Sequence, residues 1–314
     1  MRILFMGTPV FAQASLQALV EQHYEVIGAY TQPDKKQNRG MKKLPSPVKE
    51  YAITEGIPVF TPETLRSDEE VQRIGEMEPD LIVVVAYGKL LPEAILQIPK
   101  YGCINVHASL LPKYRGAAPI QWAVLNGEKE TGVTIMHMVK ELDAGDMIQW
   151  EKTEIGTDET AEVLHDRLMQ MGAQLLVRTI PLIASGAAIR TPQDPAAFSY
   201  APMLTRKLSP MDFQKSAAEL HNQVRGLYPW PSATAMLGEK KLKILQTRLT
   251  GEHTEQQPGR IVDSTKEGIR VACGNGSVLL ITRLQAEGGK KMSASEYLRG
   301  HALSPSDYFL GKQA

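Results

Sequence analysis

The sequence predicts an α/β chain in two parts, an open and doubly wound parallel sheet followed by a small β-barrel. Three observations predict it. Strand signals alternate with helical patterns through the first half, the rhythm of βαβ units. Pro79-Asp80 introduces Leu81–Ala86, an apolar run with three valines, and a strand apolar on both faces belongs in the middle of a parallel sheet. Beyond Trp230, short apolar runs separated by glycine-bearing turns succeed one another as they do in small barrels.

Ile3–Met6 opens the chain as a strand. Gly7-Thr8-Pro9 then turns into a helix patterned by Phe11-Ala12, Ser15-Leu16 and Leu19-Val20. Tyr24–Tyr30 and Ile57–Phe60 supply two strands before Leu81–Ala86, and Gly102–His107 another after it. Thr131–Val139 follows, with Asp146–Trp150 returning beside it. Leu164, Leu168, Met171 and Leu175 recur at spacings of 4, 3 and 4, so they share one helical face. Thr157 or Asp158 is the expected cap of that helix, and Ser185-Gly186 its end. Residues 187–210, rich in Pro, Ala and Thr without an apolar period, read as a crossing segment. The expected domains are 1–189 and 209–314, joined by 190–208. A helix around Phe213–Leu227 leads to strands at Thr234–Leu237, Leu242–Leu245, Arg260–Val262, Gly268–Ala272 and Ser277–Arg283, a set that fits an OB-type barrel.

The 35 basic and 35 acidic residues cancel, so net charge selects no partner. Residues 1–206 hold 20 basic and 25 acidic residues, and 207–314 hold 15 and 10. The locally basic C-terminal part suits a polyanion, and equally an ordinary solvated surface. Cys103 and Cys273 form no CxxC pair, which argues against a disulfide framework or a thiolate metal site and fits a reducing, cytoplasmic compartment. No apolar stretch reaches the ~20 residues of a membrane span. The opening MRILFMG reads as a strand rather than a signal peptide.

The chemistry concentrates in Cys103–Pro112. Side chains alternate along a strand, so Ile104 and Val106 face one layer while Asn105 and His107 face the other. An amide donor and an imidazole then stand together at the carboxyl end of a sheet strand. Acyl transfer needs a donor aimed at a developing oxyanion and a group that titrates near neutrality. A satisfied polar pair at a strand end would look the same. Glu141-Leu142-Asp143-Ala144-Gly145-Asp146 follows the Thr131–Val139 strand. A carboxylate there can orient His107 or take a proton, yet Asp and Gly are also ordinary turn residues. The pattern does not choose Asp143 over the acids flanking it.

Three motifs stand in order: NVHASLLP at 105–112, RGAAPIQ at 115–121 and LDAGD at 142–146. Their combination resembles the folate-dependent formyltransferase family. MGTP at 6–9, PSPVK at 45–49, YPWP at 228–231 and the C-terminal strands extend the resemblance over nearly the whole chain. The resemblance implies a Rossmann-like formyltransferase domain followed by a small OB-like β-barrel domain. It implies 10-formyltetrahydrofolate as co-substrate, no tightly bound cofactor, no metal, and a monomer. Its full length implies initiator methionyl-tRNA as the acceptor. The family's catalytic asparagine, histidine and aspartate fall on Asn105, His107 and Asp143. Its folate-contacting turn falls on Ser109, Leu110, Leu111 and Pro112, and the backbone lining the pterin pocket on Lys89, Leu90 and Leu91. Three rivals stay open: a sister formyltransferase acting on another amine, a formyltetrahydrofolate hydrolase with the same triad, and a non-catalytic nucleic-acid-binding protein.

The segment Asp34–Lys49 carries six basic residues against one acid and no strand or helix period. A loop this long is often functional, and its cations suit phosphates. The resemblance implies that it inserts beside the tRNA acceptor end, with the key arginine on Arg39 and Lys42 and Lys43 nearby. Met41, Met203, Phe213 and Tyr228 depart from residues common in the family.

Other residues are read structurally. Gly7-Thr8-Pro9 lacks the glycines of a dinucleotide turn, since positions 9 and 12 are Pro and Ala, and is expected to pack a helix start. His137 is expected in the core, His165 on the surface, Cys103 as packing on the face opposite Asn105, and Trp230 as a plug between domains. Lys240, Lys241, Lys243, Lys290 and Lys291 sit near barrel strand ends, where they can follow a nucleic-acid backbone or simply solubilise an edge.

Overall fold

The fold is given by a computed structural model that describes residues 1–37, 42–304 and 307–310, with side chains described for all but 35–37, 42 and 43. Contacts gather in two compact units. One holds Met1–Pro119, Thr131–Thr153 and His165–Ala201; the other holds Ile120–Glu130, Glu154–Leu164 and Pro202–Ala314. Among the described residues no helix is long and apolar enough to cross a membrane.

The first unit is built on a seven-stranded sheet in the order Met147–Glu154, Glu130–His137, Cys103–His107, Leu81–Val85, Arg2–Gly7, Glu25–Tyr30, Val59–Phe60. Arg2–Gly7 runs parallel to both its neighbours. Cys103–His107 is parallel to Leu81–Val85 and antiparallel to Glu130–His137. The chain steps from Arg2–Gly7 to one side, then crosses back to Leu81–Val85 on the other. Open α/β sheets bind ligands beside such a reversal, at the carboxyl ends of the strands. Leu81–Val85 is buried at every position. The following backbone is held by Thr8 Oγ1 and Gln32 Nε2, which donate to the Tyr87 carbonyl at 3.1 and 2.9 Å.

Several expectations are corrected here. The helix begins at Ala161, where Thr160 rather than Thr157 or Asp158 accepts from the Val163 amide at 3.3 Å. Asp34–Lys49 is not structureless: Lys35–Gln37 pairs antiparallel with Lys42–Leu44, and Pro47–Thr54 is a helix capped by Ser46. Arg39 lies outside the described residues; Lys42 and Lys43 lie on the second strand of that hairpin. Residues 187–210 do not simply cross: Thr191 bridges Met147, and Tyr200–Ala201 pairs with Arg115–Gly116.

The second unit carries an antiparallel sheet in the order Ile261–Thr265, Gly268–Ala272, Ser277–Ala286, Lys240–His253, Ala233–Leu237, Phe309–Leu310. Its outer strands approach at one bridge, Arg260 with Tyr308, so the sheet rolls into a barrel shape. Leu242, Ile244, Ile269, Val271, Leu279, Ile281 and Leu284 fill the interior. Lys240–His253 is far longer than the predicted Leu242–Leu245 because it follows Ser277–Ala286 through three register shifts. The preceding helix is Ala217–Gly226, begun by a capping box between Ser216 and Glu219.

Candidate active site

Three elements of the first unit meet at the end of Cys103–His107. Ile104 and Val106 are buried, while Asn105 is partly exposed on the other face beside His107. Asp143 comes from the turn after Glu130–His137. Its carboxylate accepts from Asn105 Nδ2 at 3.3 Å and from the Gly116 amide at 2.8 Å. Asp143 Oδ2 lies 3.7 Å from His107 Nδ1, with both side chains almost wholly buried. The structure thus brings the three side chains into one cluster and separates Asp143 from its neighbours: Glu141 is exposed, and the Asp146 carbonyl accepts from the His137 amide at 2.9 Å.

The histidine's orientation is set from its other nitrogen. His107 Nε2 donates to the Tyr114 carbonyl at 2.9 Å, which fixes the proton on that nitrogen because a carbonyl only accepts. Nδ1 is too far from Asp143 for a hydrogen bond, so it is the nitrogen open to a substrate, as an acceptor in the neutral ring and as a donor to a substrate oxygen once the ring carries a second proton. Tyr114 and Asp143 both adopt left-handed backbone, with φ of 63° and 49°. Such conformations in non-glycine residues cost energy and concentrate at functional sites.

The turn after His107 is tied down by backbone and hydroxyls. Ser109 Oγ donates to the Lys113 carbonyl at 2.7 Å, the Leu111 amide donates to Thr134 Oγ1 at 3.2 Å, and that hydroxyl donates to the Ser109 carbonyl at 2.7 Å. The Leu111–Pro112 bond is cis. Ser109 and Leu111 are buried, leaving Leu110 and Pro112 partly open. Lys89 turns its ammonium to the carbonyls of Pro62 and Glu63, Leu90 is exposed, and Leu91 is packed in the core.

Cys103 requires correction: it shares the face of Asn105, two residues on. It is nevertheless a packing residue, buried among Leu91, Ile95 and Leu96, and burial pushes its thiol pKa up to about 12. His137 is a core residue whose pKa is lowered to about 4, by burial first and by Arg190 second. His165 is half-buried rather than exposed, edge-on to Phe11. Trp230 is 54% exposed rather than plugged away, in a groove with Arg206, Lys241 and Lys243. Tyr114, Gly116 and Gln193 carry no expected role in the sequence, although Gly116 stands within RGAAPIQ, because they act on the site through backbone groups or through the turn, contacts that residue type does not reveal.

A doubly wound sheet with an amide, an imidazole and a carboxylate gathered at a strand end is the arrangement of an α/β enzyme. Comparison with known proteins gives the particular one: the chain belongs to the formyl transferase family. The family's "Formyl transferase" model matches residues 1–180 and its "Formyl transferase, C-terminal domain" model matches residues 203–302. A relative from Alkaliphilus oremlandii named methionyl-tRNA formyltransferase is 48% identical over 303 residues, covering 96% of this chain and 97% of its own. One of the same name from Bacillus subtilis is 46% identical over 308 residues, covering 98% and 96%. Among solved structures, an N-formyltransferase from Helicobacter canadensis, bound to folinic acid and dTDP-3-aminofucose, superposes with a TM-score of 0.69 at 20% identity, covering 92% of this chain and 99% of that one. That likeness speaks for the fold.

Proposed function

We propose that this protein transfers the formyl group of 10-formyltetrahydrofolate to the α-amino group of initiator methionyl-tRNA. The observation that carries the reading is the meeting of Asn105, His107 and Asp143 at one strand end, in a chain alike over its full length to methionyl-tRNA formyltransferases. The methionyl amine attacks the formyl carbon held on folate N10. Asn105 Nδ2 and the Nδ1–H of a doubly protonated His107 stabilise the resulting oxyanion, while Tyr114 holds the ring from Nε2. The Asp143 carboxylate takes the proton lost by the attacking nitrogen, directly or through a water, and a proton delivered to N10 expels tetrahydrofolate. One N–C bond forms, one breaks, and the proton count is unchanged.

The folate lies against the Ser109–Pro112 turn, with its pterin near the backbone of 89–91. The tRNA meets the Asp34–Lys49 segment through Arg39, Lys42 and Lys43. The groove formed by Arg206, Lys241, Lys243 and half-exposed Trp230 suits an RNA backbone, since cations neutralise phosphates and an indole can stack on a base. The protein acts as a cytoplasmic monomer with no tightly bound cofactor.

The test is tetrahydrofolate release from 10-formyltetrahydrofolate with and without charged initiator tRNA. Release that requires the tRNA, with formyl recovered on it, is the expected result. Release at the same rate without any acceptor would identify a hydrolase and defeat the proposal.

A further inference from the structure

Asp143 sits on a left-handed turn, and something must hold it there. Gln193, from the segment after the Ala161–Ala184 helix, reaches under this turn. Its Nε2 donates to the carbonyls of Asp143 and Gly145, both at 2.8 Å. Its Oε1 accepts from Arg115 twice, from Nε at 3.0 Å and from a terminal nitrogen at 2.7 Å. The orientation of the amide follows from chemistry. A guanidinium only donates and a carbonyl only accepts, so the opposite flip would break all four bonds. Arg115 is itself buried, with its guanidinium 4.9 Å from the centre of the Phe198 ring.

We infer that Gln193 is the positioning residue for Asp143, with Arg115 locking the amide in the donating orientation. Gln193 touches no reacting atom and fixes the backbone from which the carboxylate reaches Gly116, Asn105 and His107. Arg115 precedes Gly116, whose amide binds the same carboxylate. One short stretch therefore grips Asp143 from the backbone side through Gln193 and from the carboxylate side through Gly116. This inference rests on the role given to Asp143 above.

Gln193→Glu separates positioning from bulk. It keeps the size and the partner for Arg115, and it removes both donors to the turn. Gln193→Met removes the donors without adding charge and guards against a misfolded glutamate variant. The first readout is the Gly116 amide proton resonance, because an amide bonded to a carboxylate is charge-assisted and sensitive to the carboxylate's place. Asp143→Asn supplies the reference for a lost charge. In both Gln193 variants the Gly116 resonance should move toward its position in Asp143→Asn, with the rest of the spectrum retained. The second readout is formyl transfer, where kcat should fall about 10²-fold, the cost typical of ångström-scale misplacement, with the KM for the folate little changed. A Gly116 resonance unmoved in folded Gln193→Glu, or wild-type kcat in that variant, overturns the inference. A moved resonance in a protein whose wild type transfers no formyl group supports the positioning of Asp143 and defeats the proposed reaction instead.

Discussion

Replacing Gly145 by alanine should detach the Asp143 turn from the strand beneath it. A Cβ at Gly145 would lie 1.9 Å from the His137 carbonyl oxygen and 2.9 Å from its carbon. This falls short of an ordinary 3.4 Å contact by about 1.5 Å, against strand backbone that cannot swing aside. The turn must retreat instead. Overpacking of this kind costs about 1–3 kcal/mol. Loss of the bond from the His137 amide to the Asp146 carbonyl adds about 0.5–1.5 kcal/mol. Stability should therefore drop by about 1.5–4.5 kcal/mol. Asp143 moves with the turn, and misplacement by an ångström costs about 10²-fold in rate. The assay pairs thermal unfolding with formyl-transfer kcat and uses Gly75→Ala as the control. Gly75 lies in the helix Asp68–Glu76 with nothing within 4 Å of a Cβ, so alanine there should stabilise by about 0.5–1 kcal/mol. A Gly145→Ala protein with wild-type melting and wild-type kcat would refute the placement of the turn.

Asn105→Ala should lower kcat by about 10²–10³-fold, the usual cost of one oxyanion donor, with folate affinity preserved by equilibrium binding. His137 supplies a pH dependence of stability. Its folded pKa of about 4 lies below the ordinary 6.5, so the unfolded chain binds the extra proton between those values. Its contribution is complete above about pH 6.5 and is lost as pH falls toward 4, by at most about 3 kcal/mol. Denaturant titrations of His137→Gln should show a flatter acid limb over that window, and an unchanged limb would remove His137 from the account.

The legible parts of the sequence were those whose physics is periodic or local. Leu81–Val85 is readable because a strand covered on both faces must be apolar throughout. The faces of Asn105 and Val106 follow from strand alternation. The same alternation places Cys103, two residues before Asn105, on the face of Asn105 rather than opposite it. Pro47–Thr54 and Asp68–Glu76 escaped because short polar helices have little apolar period, although Ser46 before Pro47 and Ser67 before Asp68 are capping signals. The turn acids could not be ranked by pattern, since what separates Asp143 from Glu141 and Asp146 is a left-handed residue docked on a strand. Gln193 was hidden for a related reason: it lies 50 residues from Asp143 and meets it only through backbone carbonyls.

Formyl transfer from 10-formyltetrahydrofolate to three acceptors, initiator methionyl-tRNA, elongator methionyl-tRNA and free methionine, tests the central claim most directly. The account predicts formylation of the initiator species well above the other two. Equal formylation of free methionine, or none of any acceptor by a protein that still binds folate, would contradict it.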